Sequence, residues 1–237
     1  MIGRVVWIIA ILGIAALTSY AQLDRQSRVS PALAANVPEA FRAFAQAEVT
    51  VTALSGDDAD FALAEAKRLI ARRPIPAEHL RLLALAQYKA GEPDAAASSI
   101  QLAARRGWRD LQAQEAMLRL AIEADEPVEA SHRYAALLLN KASDDELLTE
   151  LGSRTFTAPA AQDAFAALLA GGARWQTSFL QRGSQLLPPT AFVAIVRTSI
   201  ERGARFGCAP LKSAQAMLKS RDEEASSSLD AVIAEQC

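Results

Sequence analysis

A recurrence every 34 residues is the feature that most constrains how this chain can fold. Alanine returns at this interval as Ala62, Ala96 and Ala130, and the Glu-Pro dipeptide at positions 92–93 returns at positions 126–127. A fixed period of this length, with two short helices per unit, is typical of an α-solenoid, in which each unit buries its apolar face against its neighbours. The sequence therefore predicts an all-α stack that presents a surface, without specifying which molecule that surface binds.

Residues 38–142 carry the helical pattern of this period. Leu80 and Leu83 follow the spacing of an amphipathic helix. Gly91 stands where that helix must end, and Pro93 can open the next helix, because a residue at this position needs no amide hydrogen. These signals predict three helical hairpins between residues 38 and 142.

Three segments of this region, in one register, resemble the tetratricopeptide repeat (TPR) family. Residues 77–110 match its pattern best, and residues 43–76 and 111–144 match it in the same register. The matching residues of the best segment are Leu80, Leu83, Ala84, Gln87, Gly91, Ala96, Ile100 and Ala103. The resemblance implies a TPR-like α-solenoid of a membrane-anchored bacterial envelope type. Leu118 occupies a position that is normally small, so the third hairpin is expected to splay.

The period fades after residue 142, and residues 143–237 are predicted to form a degenerate helical region that caps the stack. Ser143 and Glu146 have the spacing of a capping box that starts a helix. Further helices are expected near residues 159–170, 174–183, 189–202, 210–219 and 228–235, between glycine and proline breaks. The alternative to the three predicted repeats is an ordinary helical bundle with accidental spacing.

The chain begins with an apolar segment. Val5 to Leu23 are 19 residues without a charge, and as a helix they would extend roughly 28 Å, close to the hydrocarbon thickness of a bilayer. Residues 1–23 are therefore predicted to be a transmembrane anchor and residues 24–37 a polar linker. The alternative is a cleaved signal peptide, because Ser19-Tyr20-Ala21 is an acceptable cleavage site. Both interpretations export the remaining chain, to the periplasmic side of a bacterial inner membrane if the amino terminus stays cytoplasmic.

Export bears on the two cysteines, Cys208 and Cys237. Disulfides persist in oxidising compartments, and a bridge closing a loop of this length would stabilise the fold by about 3 to 4 kcal/mol. A disulfide between them is one expectation. A buried Cys208 with a free thiol at the C-terminus is the other.

Charge and motifs argue against several function classes. The formal net charge is −2, whereas phosphate binding needs a clustered positive field, so no nucleic-acid partner is expected. The two histidines, His79 and His132, have no second ligand at metal-site spacing, and neither a glycine-rich phosphate loop nor a nucleophile elbow appears. The sequence therefore predicts a protein that is not an enzyme and that has no catalytic residue, no cofactor and no metal site.

In the family that the repeats resemble, ligands lie along the inner surface made by the first helix of each hairpin. The resemblance therefore implies that a protein or peptide partner binds at the corresponding positions, which here are Arg81, Leu85, Tyr88, Lys89, Glu115, Arg119 and Ile122. The cationic residues suit carboxylate and carbonyl groups, and the tyrosine adds apolar area at low entropic cost. The competing interpretation is ion pairing along one helix, such as Arg119 with Glu115.

These observations predict a noncatalytic scaffold or adaptor, tethered to the inner membrane and exposed in the periplasm, that holds a protein or peptide partner. One alternative is a permanent structural subunit of an envelope secretion or polysaccharide-export complex, which should present a large apolar patch. Another is a helical envelope enzyme, which needs a pocket near Trp175 to Cys208 with converging polar groups.

Overall fold

Every regular element is helical in the residues that the structure, a computed structural model, describes, namely 2–140 and 142–237. This confirms the predicted all-α fold of helical hairpins behind one N-terminal apolar helix. Met1, in the predicted anchor, and Lys141, near the end of the predicted repeats, lie outside the described residues.

The helices divide between two compact units. Unit 1 is Met1–Gly107 and unit 2 is Trp108–Cys237, so the boundary falls inside the predicted block of three repeats. The α-helices of unit 1 are α1 (Ile2–Ser27), α2 (Ala45–Ser55), α3 (Ala59–Arg72), α4 (Ala77–Lys89) and α5 (Pro93–Arg106), with short 3-10 helices at Pro31–Asn36 and Glu39–Phe41. Those of unit 2 are α6 (Leu111–Glu123), α7 (Pro127–Leu138), α8 (Asp145–Thr155), α9 (Pro159–Gly171), α10 (Ala173–Leu186), α11 (Pro189–Glu201), α12 (Cys208–Lys219) and α13 (Glu223–Gln236).

Unit 1 packs two hairpins through small side chains. α2 pairs with α3 and α4 pairs with α5, and α2 and α3 each also contact α4. Alanines dominate the buried positions, among them Ala62, Ala66 and Ala86. Because the distance between helix axes depends on the side chains at the contact, these alanines allow close approach.

A buried polar network lies between α2 and α3. The Gln46 side chain, which is fully buried, donates from Nε2 to Glu65 Oε2 at 2.6 Å, and Arg72 donates to Gln46 Oε1. The same Nε2 group also donates to the Glu65 carbonyl oxygen, at 3.3 Å. Since directional bonds of this kind are satisfied in one arrangement, the network fixes the position of α2 on α3.

The segment expected to be a linker is folded against the first hairpin. α1 extends to Ser27, and Asp24 is buried. Asp24 Oδ1 accepts hydrogen bonds from the backbone amides of Ala43, Phe44 and Ala45 at 2.9, 3.0 and 2.9 Å. A carboxylate at a helix N-terminus satisfies unpaired amides and offsets the helix dipole, so this side chain joins the end of α1 to the start of α2.

The 3-10 helix Pro31–Asn36 covers one side of α2. Ala34 and Val37 are buried in a small cluster with Ala45, and Arg42 Nε donates to the Val37 carbonyl oxygen at 2.8 Å. The chain itself therefore supplies the apolar cover for this part of the first hairpin.

Unit 2 stacks its helices in two rows. The even-numbered helices α6 to α12 contact one another in succession, as do the odd-numbered helices α7 to α13. A series of aromatic rings passes through the stack, with successive centroids 5.0, 5.5, 5.2 and 5.2 Å apart; the rings belong to Tyr134, Phe156, Phe165, Phe179 and Phe192. All five are fully buried, so this core rests on large apolar surfaces in ring contact.

Tyr134 lies in the contact between α7 and α8. Its hydroxyl donates to the Leu148 carbonyl oxygen at 2.9 Å, and a Cβ atom on Gly152 would lie 2.7 Å from the hydroxyl oxygen. Burial raises the pKa of Tyr134 well above its usual value, which keeps the hydroxyl protonated as a donor.

The 34-residue period reappears in the positions of the helices. α3, α5 and α7 begin at Ala59, Pro93 and Pro127, and α4, α6 and α8 begin at Ala77, Leu111 and Asp145. The turns before α5 and α7 also correspond, because Gly91 and Asp125 both have positive φ angles, of 78° and 53°. The structural period thus extends one helix beyond residue 142.

The start of α8 differs from the predicted capping box. Asp144 is the N-cap, and its carboxylate accepts from the Leu147 amide at 2.8 Å. The Ser143 hydroxyl instead donates to the Leu137 carbonyl oxygen at the end of α7, at 2.7 Å. The prediction for Ser143 is therefore wrong by one residue, because its hydroxyl is used by the preceding helix.

A disulfide bond joins Cys208, at the start of α12, to Cys237, which follows α13, and their Cα atoms are 5.9 Å apart. It closes the last hairpin and ties the end of the chain to the body of unit 2.

Candidate partner-binding sites

The residues predicted for the inner face fall in both units. Arg81, Leu85, Tyr88 and Lys89 lie on α4 of unit 1, whereas Glu115, Arg119 and Ile122 lie on α6 of unit 2. The structure therefore brings together four of the predicted residues on one helix and three on another, and each group is described by itself.

The first group includes an exposed apolar surface. Leu85 is 48% exposed and Tyr88 is 73% exposed, three residues apart on one side of α4. Val51, on the adjacent helix α2, is 45% exposed. We call Val51, Leu85 and Tyr88 the α2/α4 face. Arg81 is half-buried on α4, one turn before Leu85.

Lys89 has a role that the sequence did not predict. Its Nζ atom donates to the Leu54 carbonyl oxygen at 2.9 Å and also to the Gly56 carbonyl oxygen, at the end of α2. The carbonyl groups that end a helix lack intrahelical partners and carry partial negative charge. The Lys89 ammonium therefore caps α2 and holds the C-terminal ends of α2 and α4 together.

The group on α6 is engaged within its own unit. Arg119 Nε donates to Glu115 Oε1 at 3.0 Å, which is the ion pair that the competing interpretation proposed. Ile122 packs, partly buried, against the aromatic core. These three side chains are therefore less available to a partner than the residues of the α2/α4 face are.

An apolar cavity of about 230 Å³ opens in unit 2, between residues of α7, α9 and α10. Its floor contains the buried side chains Phe165, Leu169 and Phe179. Trp108, Trp175 and His132 also line it, and the tryptophan rings meet edge to face with centroids 6.2 Å apart. His132 is the one titratable side chain in this lining.

Each tryptophan of the cavity has an arginine on its ring. The Arg109 guanidinium carbon lies 5.0 Å from the Trp108 ring centroid, and that of Arg174 lies 5.5 Å from the Trp175 centroid. The partner-binding residues predicted from the sequence include neither tryptophan. A local signal did exist, because each tryptophan follows a glycine within three residues and is adjacent to an arginine.

A wider groove of about 700 Å³ lies in unit 1, between the 3-10 helix Pro31–Asn36 and α2. Small and apolar side chains form much of it, with Phe61 about half exposed, while Arg42, Glu48 and Asp58 add charges of both signs. The sequence did not indicate this groove because one of its walls is the segment expected to be a linker.

Titratable groups within the described residues form no cluster of three or more that would hold a metal ion. His79 is buried and its Nδ1 lies 2.8 Å from the Arg73 carbonyl oxygen, to which it donates. Burial lowers the pKa of His79, which favours the neutral ring in this local structural role.

Comparison of the chain with protein families, with curated proteins and with solved structures finds no match. Membership of the TPR family therefore stays a prediction, which rests on the repeat residues and on the spacing of the helices.

Proposed function

We propose that this chain is a noncatalytic scaffold of TPR-like hairpins, anchored by α1 in a bacterial inner membrane, that holds a protein or peptide partner in the periplasm. The observation that carries the proposal is the α2/α4 face. Leu85 and Tyr88 are exposed three residues apart on α4; exposed apolar surface is typical of interaction sites, and aromatic residues such as Tyr88 contribute large contact areas.

The junction after α1 supports an anchor that is retained. α1 is apolar and long enough to cross a bilayer, and a signal sequence can have the same properties. The possible cleavage site at Ser19-Tyr20-Ala21 lies within this continuous helix, and the Tyr20 ring packs 5.1 Å from that of Phe41. Cleavage would remove this contact and leave the Asp24 cap close to a new chain end.

The position of the disulfide supports export. A bond between Cys208 and Cys237 persists in an oxidising compartment such as the periplasm. We expect digestion of the chain from membranes without reductant to give one linked peptide that contains both cysteines; two free thiols would argue against a periplasmic unit 2.

Photocrosslinking tests the α2/α4 face. A photoreactive residue replaces Tyr88 in the full membrane-bound chain, and the matched control replaces Gln101, which is exposed on α5. We expect a specific adduct from position 88 that Leu85→Asp abolishes, because the charge disrupts the same apolar surface. Equal adducts from positions 88 and 101, or an adduct that Leu85→Asp leaves unchanged, would refute this site.

Two measurements on the purified full chain test the remaining parts of the proposal. We expect the intact mass of the chain in the membrane fraction to include residues 1–23. Loss of the first 21 residues would instead identify this segment as a cleaved signal peptide. In detergent, a monomer agrees with a scaffold that binds its partner reversibly, whereas an obligate large assembly agrees with a permanent structural subunit.

A further inference from the structure

The Trp108–Trp175 cavity has no part in the proposed function, which concerns the α2/α4 face of the other unit. Its floor of Phe165, Leu169 and Phe179 belongs to the apolar core of unit 2. A group that enters this cavity therefore exchanges water for a largely apolar environment, which favours apolar surface. Trp108, which lines the cavity, is 48% exposed, although tryptophan is a residue that tends to be buried or to form interfaces.

The volume of the cavity sets the size of its occupant. About 230 Å³ exceeds the roughly 150 Å³ of a cavity that admits benzene. It is smaller than the roughly 300 Å³ at which pockets for drug-sized ligands begin. One aromatic side chain fits this space, whereas most of a membrane acyl chain would remain outside it.

The two arginines set the charge of the occupant. Neither Arg109 nor Arg174 has an ion-pair partner among the residues that the structure describes. Each guanidinium is held on a tryptophan ring, and a guanidinium offers a planar set of donors that matches a carboxylate. Positive groups beside both tryptophans complement an occupant that carries carboxylates next to its ring.

We propose that the Trp108–Trp175 cavity binds one aromatic side chain of an acidic peptide segment from a partner protein. The ring enters onto the Phe165 and Phe179 floor, and the flanking carboxylates pair with Arg109 and Arg174. The buried ring supplies most of the affinity, while the exposed ion pairs steer association and select an acidic partner. This site is independent of the α2/α4 face, so each proposal can fail without the other.

Tryptophan fluorescence provides a direct test. The chain has three tryptophans, and Trp7 lies in α1, so Trp7→Phe leaves the two cavity tryptophans as the only tryptophans of the chain. This full-length variant, in phosphatidylcholine vesicles and with selective excitation of tryptophan, is titrated with acetyl-Asp-Asp-Phe-Asp-Asp-amide. We expect a saturable change in emission, with affinity at least about 10-fold weaker for the matched peptide with alanine in place of phenylalanine. The matched peptide with lysines in place of the aspartates is expected to bind weakly as well.

Two variants connect the signal to the cavity. Ala136→Phe fills the cavity from its α7 wall, and Arg109→Glu with Arg174→Glu reverses the charge beside it. Each change is expected to weaken peptide binding at least about 10-fold. The control for net charge is Arg197→Glu with Arg205→Glu, at two exposed positions of unit 2, and this double variant should leave the affinity nearly unchanged. Melting temperatures verify that each variant is folded. If Ala136→Phe is unstable, the arginine variants and the comparison of the phenylalanine and alanine peptides still test the proposal.

Three results would overturn the proposal. The first is equal affinity for the phenylalanine and alanine peptides. The second is equal loss from the Arg109/Arg174 and Arg197/Arg205 variants. The third is an emission change with phosphatidylglycerol vesicles but not with the acidic peptide, which would assign the cavity to a lipid.

Discussion

Unit 1 and unit 2 are both built from helical hairpins, yet they bury different kinds of side chain. In unit 1, alanines such as Ala62 and Ala66 separate the helices, and Gln46 and Glu65 form polar bonds between α2 and α3. In unit 2, five aromatic rings run through the core and a disulfide closes the last hairpin. One repeat period thus accommodates two kinds of helix packing.

The difference predicts where each unit is sensitive to substitution. Apolar burial stabilises by about 25 cal/mol per Å², and an aromatic ring buries roughly 150–250 Å², far more than an alanine methyl group. Removing one ring should therefore lower the free energy of unfolding of unit 2 by more than any single alanine contributes to that of unit 1. Unit 1 should respond most to loss of a buried hydrogen-bonding group, because an unpaired buried partner is costly.

The largest effect is expected from Phe192→Ala in unit 2. Phe192 is fully buried and its ring stacks on that of Phe179 at 5.2 Å, so truncation leaves a cavity and costs about 3–5 kcal/mol. Urea unfolding of the Trp7→Phe chain measures it, since both remaining tryptophans report on unit 2. Met217→Ala, at an exposed position of α12, is the control and should change the stability by less than about 0.5 kcal/mol. A loss below about 1 kcal/mol for Phe192→Ala would contradict the importance of the ring series.

Reduction of the disulfide is expected to cost unit 2 slightly less, about 3 kcal/mol. The bond closes a loop with a sequence separation of 29, and its removal enlarges the ensemble of the unfolded chain. Urea unfolding followed by tryptophan fluorescence, with and without reductant, measures this loss of stability. The double variant Cys208→Ser with Cys237→Ser is the control, because reductant should not change its stability. If amide exchange in α3 of unit 1 also accelerates on reduction, the two units are not stabilised independently.

The repeat pattern was sufficient to predict the hairpins because it depends on local spacing. The 34-residue interval that relates Ala62 to Ala96 also separates the starts of α3, α5 and α7. The same pattern did not reveal the boundary after Gly107, since a turn between units and a turn between repeats use the same residue types.

Features that depend on distant residues were not predictable from this pattern. The Asp24 cap on the amides of Ala43 to Ala45 and the hydrogen bonds from Lys89 to the end of α2 each connect different helices. The cavity needs Trp108 and Trp175, and the glycine and arginine neighbours that they share do not reveal that the two rings meet. Helical spacing does identify ion pairs within one helix, and Glu115 with Arg119 was accordingly foreseen as an alternative.

In unit 1, Gln46→Ala is expected to cost about 1–3 kcal/mol. The change removes a donor to Glu65 and an acceptor for Arg72, and leaves these groups with unmet hydrogen bonds between α2 and α3. Amide exchange of α2 and α3 measures the loss locally, and Gln101→Ala on exposed α5 is the control. Unchanged exchange would mean that alanine packing alone holds the first hairpin.

The smallest effects concern two corresponding turns and should have opposite signs. Gly91 and Asp125 end α4 and α6 with left-handed backbone, and in both turns the next amide bonds to a carbonyl five residues earlier, from Glu92 to Gln87 and from Glu126 to Ala121. A side chain in this conformation costs about 1–2 kcal/mol, although aspartate tolerates it better than most residues do.

Gly91→Ala should therefore destabilise unit 1 by about 1 kcal/mol, and the cause is the backbone alone, because a Cβ atom there would have no neighbour within 4 Å. Asp125→Gly should stabilise unit 2 by a few tenths of a kcal/mol, the relief of strain being partly offset by the greater entropy of an unfolded glycine. Amide exchange in α5 measures the first change, and the urea midpoint from tryptophan emission measures the second. Destabilisation by Asp125→Gly would show that its carboxylate, rather than the shape of the turn, stabilises the α6–α7 hairpin, and the two turns would then be equivalent in geometry but not in energy.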